Sequence, residues 1–116
     1  MTTLEQASTP NPNGFREIDV QRLAASRGTT RLIDVREPSE YNAELGHIAG
    51  TELVPLATVE HVAKAWDRNQ EIVVVCRSGG RSGRAAAALV AMGFKHIINM
   101  SGGMLAWNAA GLPVER

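Results

Sequence analysis

The chain has 116 residues, 44% hydrophobic and 21% charged, with one cysteine and five aromatics. That size holds one domain rather than two, and the composition excludes disordered, collagen-like and coiled-coil classes. One thiol can close no intramolecular disulfide and build no multi-cysteine metal site. Twelve acids balance twelve Lys and Arg side chains, yet residues 1–71 carry a net −4 and residues 72–116 a net +4. Arg77, Arg81 and Arg84 lie in an acid-free stretch suited to a small anion, while the broad basic footprint of a nucleic-acid binder is missing. No run of about 20 apolar residues predicts a membrane span, and the polar opening lacks the pattern of a secretory signal, so the expected location is the cytoplasm.

Residues 1–14, rich in Thr, Ser, Pro, Asn and Gly, read as a mobile lead-in to a single domain over residues 15–116. Asp19 is placed to cap a helix that carries Val20, Leu23 and Ala24 on one face and ends at Gly28. The β-branched run from Arg31 to Arg36 predicts a strand, and Pro38 opens a helical turn. Residues 46–56 read as an irregular crossing with a short strand near Glu52. Thr58 is expected to cap a helix through Val59, Val62, Ala63 and Trp66. Residues 72–76, Ile-Val-Val-Val-Cys, form the continuous apolar run of a strand covered on both faces. A helix is expected over Gly83–Met92, a strand at Ile97–Asn99, and a last helix after the glycine pair 102–103. Strands alternating with helices through long connections predict an α/β fold with a mostly parallel sheet and helices on both faces.

The segment Cys76-Arg77-Ser78-Gly79-Gly80-Arg81-Ser82 joins a buried strand to a helix. Its thiol therefore sits where unpaired amides and the positive end of the helix dipole converge, and the two glycines let the chain curl there. A free thiol with a pKa of about 8.5 is only about 3% ionised at neutral pH, so these groups are expected to turn Cys76 into a working nucleophile. Arg81 is placed to hold an oxyanion. Of the two loop serines, Ser78 is the better candidate donor to a bound anion, and Ser82 reads equally well as a helix cap. Asp34 and Arg36 share one face of a strand end and read from spacing alone as a structural ion pair. His47 reads as structural, His61 and His96 as surface residues, and the three share no metal-ligand spacing. Met100, Met104 and Trp107 read as core.

Four motifs, IDVREPSEY at 33–41, GHIAG at 46–50, CRSGGRS at 76–82 and SGGMLAWNAAGLPV at 101–114, together resemble a single-domain rhodanese. The resemblance spans residues 15–114 and implies a rhodanese-like three-layer fold around a five-stranded sheet. It implies that Cys76 is the nucleophile and carries sulfur as a persulfide, and that Arg77, Ser78, Gly79, Gly80 and Arg81 cradle the substrate. Asp34, Arg36 and Ser82 take supporting places. The implied reaction moves sulfane sulfur from a small anionic donor such as thiosulfate to cyanide or to a thiol acceptor, small or borne by a protein, with no metal or organic cofactor. Glu40 stands where some two-domain thiosulfate sulfurtransferases carry a basic residue, which argues against tight thiosulfate binding. The related phosphatases and arsenate reductases have five residues between cysteine and arginine, whereas four separate Cys76 from Arg81. Two further readings remain open at this point: a non-catalytic recognition domain, and a sulfide or redox sensor built on the same thiolate. The oligomeric state is not legible.

Overall fold

The computed structural model describes residues 3–116. Six strands form one sheet in the order β1-β2-β6-β5-β3-β4, where β1 is Thr9–Pro10, β2 Arg16–Ile18, β3 Arg31–Asp34, β4 Glu52–Leu53, β5 Glu71–Val75 and β6 His96–Met100. All neighbours pair in parallel except β1 with β2. The expected α/β architecture holds, and the expected count of five strands is corrected to six.

The period of two along each strand divides the core. From β5, Ile72 and Val74, followed by Cys76, pack on one face, joined by Val59, Ala85, Ala86, Leu89 and Phe94. Val73 and Val75 point the other way, toward Ile18, Leu23, Ile98, Met104 and Trp107. The first face is covered by helices α4 (Leu56–Ala63) and α5 (Gly80–Ala91). The second lies under α1 (Leu4–Ala7), α2 (Val20–Ser26) and α6 (Gly103–Ala109); α3 is the short turn Pro38–Tyr41. A continuous apolar strand is what this double coverage demands.

Several element boundaries differ from expectation, and the larger departures are at the N-terminal segment and at the starts of two helices. The segment read as a mobile lead-in is folded from Thr3 onward: Thr3 and Gln6 form a capping box, Leu4 is buried, and Arg16 binds Ser8 through Oγ at 2.6 Å and the carbonyl at 2.8 Å. Pro10 sits on the edge strand, where its missing N–H costs no ladder bond. Helix α4 starts at Leu56 behind Pro55, so Thr58 lies inside it and donates its hydroxyl to the Pro55 carbonyl at 2.9 Å instead of capping. Helix α5 starts at Gly80, three residues early, which moves Arg81 and Ser82 from loop into first turn. Asp19 caps α2 as expected, accepting from the Arg22 amide at 2.8 Å.

Because the central strands are parallel, β3, β5 and β6 end on the same edge of the sheet. Ligands of such sheets sit beyond these carboxyl ends. Cys76 follows β5 there, Val35 and Arg36 follow β3, and the glycine pair follows β6.

Candidate active site

The loop after β5 closes around its own sulfur because its carbonyls are engaged from behind. The first amides of α6 donate to it, Met104 N to the Cys76 carbonyl at 2.9 Å and Leu105 N to the Arg77 carbonyl at 3.0 Å. With the carbonyls turned outward, the following amides turn inward. This back wall requires Gly103: its φ is +58°, and a Cβ there would stand 2.5 Å from the Arg77 carbonyl carbon and oxygen. Gly79, at φ +104°, makes the left-handed turn that aims its own amide at Cys76 Sγ, 3.0 Å away. Ser82 reaches the same sulfur from the first turn of α5, its hydroxyl 3.3 Å from Sγ.

Cys76 is 1% exposed. Burial pushes its thiol pKa up, but the Ser82 hydroxyl and the amides of Ser82, Gly79 and Ser78 outweigh that effect and hold the pKa below the ordinary thiol value. Ser78 contributes only its amide to this result, and Ser82 contributes its hydroxyl as well as its amide. Ser82 is also no cap, since Gly79 holds that position.

Arg81 departs furthest from expectation. Its guanidinium grips Glu40 in a two-pronged pair, Nη1 to Oε1 at 2.6 Å and Nη2 to Oε2 at 2.8 Å. The hydrogen bonds from Arg81 hold the Glu40 carboxyl down at about 2, against burial, which raises it. The cation expected to wait for an oxyanion is thus already neutralised by a carboxylate 41 residues away in sequence. Arg77 is exposed and has no ion pair among the described residues. It lines a cleft of about 130 Å³ together with Arg36, Ser39, Glu40, Ala43, Glu44 and Leu45.

Asp34 and Arg36 do form the paired strand end foreseen for them. Both are buried, at 0% and 1% exposure, and Arg36 meets Asp34 through Nε at 3.0 Å and Nη2 at 2.9 Å. The same guanidinium donates to the Gly46 carbonyl at 2.7 Å and the Glu40 carbonyl at 3.3 Å. It therefore ties the end of β3 to the α3 turn that carries Glu40. His47 is structural, stacked on Tyr41 with ring centres 3.8 Å apart. His96, read as a surface residue, is half-buried against Glu5 of the N-terminal segment.

Two participants escaped the sequence reading. Asn99 is buried in β6 with its amide oxygen 2.5 Å from the Ser82 hydroxyl, and Glu17 of β2 accepts from the Asn99 amide nitrogen at 3.1 Å. An asparagine within the apolar strand His96–Met100 was the available signal, because a buried amide needs partners.

This arrangement defines an α/β domain that presents one cysteine sulfur to inward-aimed amides at the carboxyl edge of a parallel sheet. The chain belongs to the rhodanese-like domain family, which it matches over residues 19–110. It is similar to the protein YrkF of Bacillus subtilis, 37% identical over 103 residues that make up 86% of this chain; the chain spans 55% of that relative's own length. The thiosulfate sulfurtransferase GlpE of Pseudoalteromonas translucida is 39% identical over 79 residues, 68% of this chain and 73% of that one. Among solved structures, the crystal structure of a rhodanese-related protein from Thermoplasma volcanium matches with a TM-score of 0.77 at 29% identity, over 85% of this chain and 96% of that one.

Proposed function

We propose that the protein is a sulfurtransferase that carries sulfane sulfur as a persulfide on Cys76. The observation that carries this reading is the buried sulfur with the Gly79 amide at 3.0 Å and the Ser82 hydroxyl at 3.3 Å, donors that favour an anion where burial alone would forbid one. With thiosulfate as donor, the Cys76 thiolate attacks the outer sulfur, the donor S–S bond breaks, and sulfite leaves with the electron pair. The loop amides then face the negative charge of the persulfide. A thiol acceptor, small or protein-borne, attacks the terminal sulfur as its thiolate and regenerates Cys76 in a ping-pong cycle. No step calls for a metal or an organic cofactor.

The GlpE relative is named for thiosulfate, which makes thiosulfate the first donor to try. The Glu40–Arg81 pair bears on how well it binds, because a dianion approaching this edge meets a neutralised arginine. Arg77, Ser78, Gly79 and Gly80 remain the cradle in this reading, Ser82 joins them, and Arg81 can meet a donor only in competition with Glu40.

Intact-mass spectrometry after incubation with thiosulfate tests the reading. The native chain is expected to gain about 32 Da, lost again on treatment with a reducing thiol, and Cys76→Ser to gain nothing. A native chain that acquires no sulfur from thiosulfate or from an organic persulfide refutes the transferase assignment and favours a recognition role.

A further inference from the structure

The Ser82 hydroxyl has one proton and three acceptors within reach: Asn99 Oδ1 at 2.5 Å, the Gly79 carbonyl at 3.2 Å and Cys76 Sγ at 3.3 Å. Which way the Asn99 amide faces is not free. Its Nδ2 lies 3.1 Å from Glu17 Oε1 and 3.3 Å from the Gly79 carbonyl, and both of these only accept, so Nδ2 must face them and Oδ1 must face Ser82. Glu17 is itself held by the Ser101 hydroxyl at 2.8 Å and the Asn11 amide at 3.1 Å. Ser82 and Asn99 are 0% and 4% exposed, so bulk water does not supply a substitute donor.

We propose that Asn99, oriented by Glu17, is a positioning residue that draws the Ser82 hydroxyl proton away whenever the Cys76 sulfur is uncharged and releases it when charge returns to that sulfur. The inference rests on Cys76 being the sulfur-carrying nucleophile. In the resting thiolate the hydroxyl points at Sγ. When the Sγ–S bond to the donor sulfur forms and sulfite leaves with its electron pair, negative charge moves to the outer sulfur. The hydroxyl then turns to Asn99 Oδ1, its nearest acceptor. When an acceptor thiolate bonds to the outer sulfur, the Sγ–S bond breaks, its electron pair returns to Sγ, and the hydroxyl swings back to stabilise the leaving thiolate. No oxidant or reductant enters, and the hydroxyl proton stays on Ser82 throughout.

Charged groups at this end of the sheet include the Asp34–Arg36 pair after β3, the Glu40–Arg81 pair spanning α3 and α5, exposed Arg77 with Glu44 in the same cleft, and Glu17 behind Asn99. The two pairs are internally neutral. Glu17 is the acid bonded to Asn99, and its removal would also act on the sulfur through charge alone, so the test has to separate that effect from the hydroxyl's.

The rate of Cys76 alkylation by iodoacetamide, followed against pH, reads thiolate formation without any sulfur donor. Asn99→Ala removes one competing acceptor and is expected to alkylate about three- to tenfold faster than the native chain on the acid side of the titration, as expected for one hydrogen bond. Ser82→Ala is expected to slow the reaction by a similar factor. The double variant should match Ser82→Ala, because Asn99 acts only through the hydroxyl. Glu17→Gln, nearly isosteric and a safeguard should Asn99→Ala fail to fold, should accelerate alkylation more in the native background than in the Ser82→Ala background. Unchanged or slower alkylation in Asn99→Ala, or equal acceleration by Glu17→Gln in both backgrounds, overturns the proposal. A protein that follows this ordering yet takes up no sulfur would instead refute the transferase reading.

Discussion

Replacing Glu40 with Gln removes the carboxylate that occupies Arg81 while keeping the side chain's size. The two side chains are 27% and 29% exposed, so the pair is partly shielded from water. Hydrogen bonds from Arg81, aided by the Glu37 amide and the charges of Arg81 and Arg36, lower the Glu40 carboxyl from 4.5 to about 2, so the pair's share is at most about 3 kcal/mol of stabilisation. Screening at a partly solvated site reduces that to about 1 kcal/mol. Because the folded pKa is depressed, this stabilisation is fully present above pH 4.5 and is lost as the pH falls toward 2. Urea unfolding of native and Glu40→Gln proteins should therefore differ by about 1 kcal/mol near neutral pH, and the gap should close through that acid window. The same variant leaves Arg81 free to meet a donor dianion, so kcat/KM with thiosulfate should rise several-fold, and the gain should shrink with added salt. A stability gap that persists unchanged to about pH 2, together with unaltered thiosulfate kinetics, would refute the role given to this pair.

The other substitutions probe the loop's supports. Gly103→Ala places a methyl 2.5 Å from the Arg77 carbonyl at a positive φ, and should cost about 2 kcal/mol or more in urea unfolding while slowing Cys76 alkylation, because the back wall that turns the amides inward must shift. Arg36→Met strands the fully buried Asp34 carboxylate and should cost about 3 to 5 kcal/mol; the double variant Asp34→Leu with Arg36→Met should recover part of that loss. Gly79→Ala strains the turn at φ +104° and should slow alkylation even where the protein remains folded.

What could be read from the chain alone was local. The Ile72–Cys76 run, the glycines after it and the cap at Asp19 each act within a few residues, where spacing and side-chain chemistry determine the outcome. Cys76 was therefore visible as an activated thiol at a strand end. The parts that eluded the reading depend on partners far apart in sequence. Arg81 meets Glu40 across 41 residues, and Asn99 meets Glu17 across 82. Neither pairing leaves a periodic trace. The early start of α5 was hidden for another reason: Gly80, Ser82 and Gly83 are poor helix formers, and that first turn is held in part by what the tertiary fold supplies, the Ser82 hydroxyl against Asn99 and Arg81 against Glu40. The sixth strand was missed because the polar segment 1–14 reads as a lead-in, and only Pro10's antiparallel edge position beside β2 makes it compatible with the sheet.

The claim on which the account depends is that the fold ionises Cys76 more readily than water does. The pH profile of iodoacetamide alkylation of the native protein tests it directly, with Cys76 as the sole reacting thiol. A midpoint clearly below that of a free cysteine peptide measured alongside is the predicted result. Coincident profiles, or a midpoint displaced upward, would mean that burial prevails over the amides and the Ser82 hydroxyl, and would contradict the account.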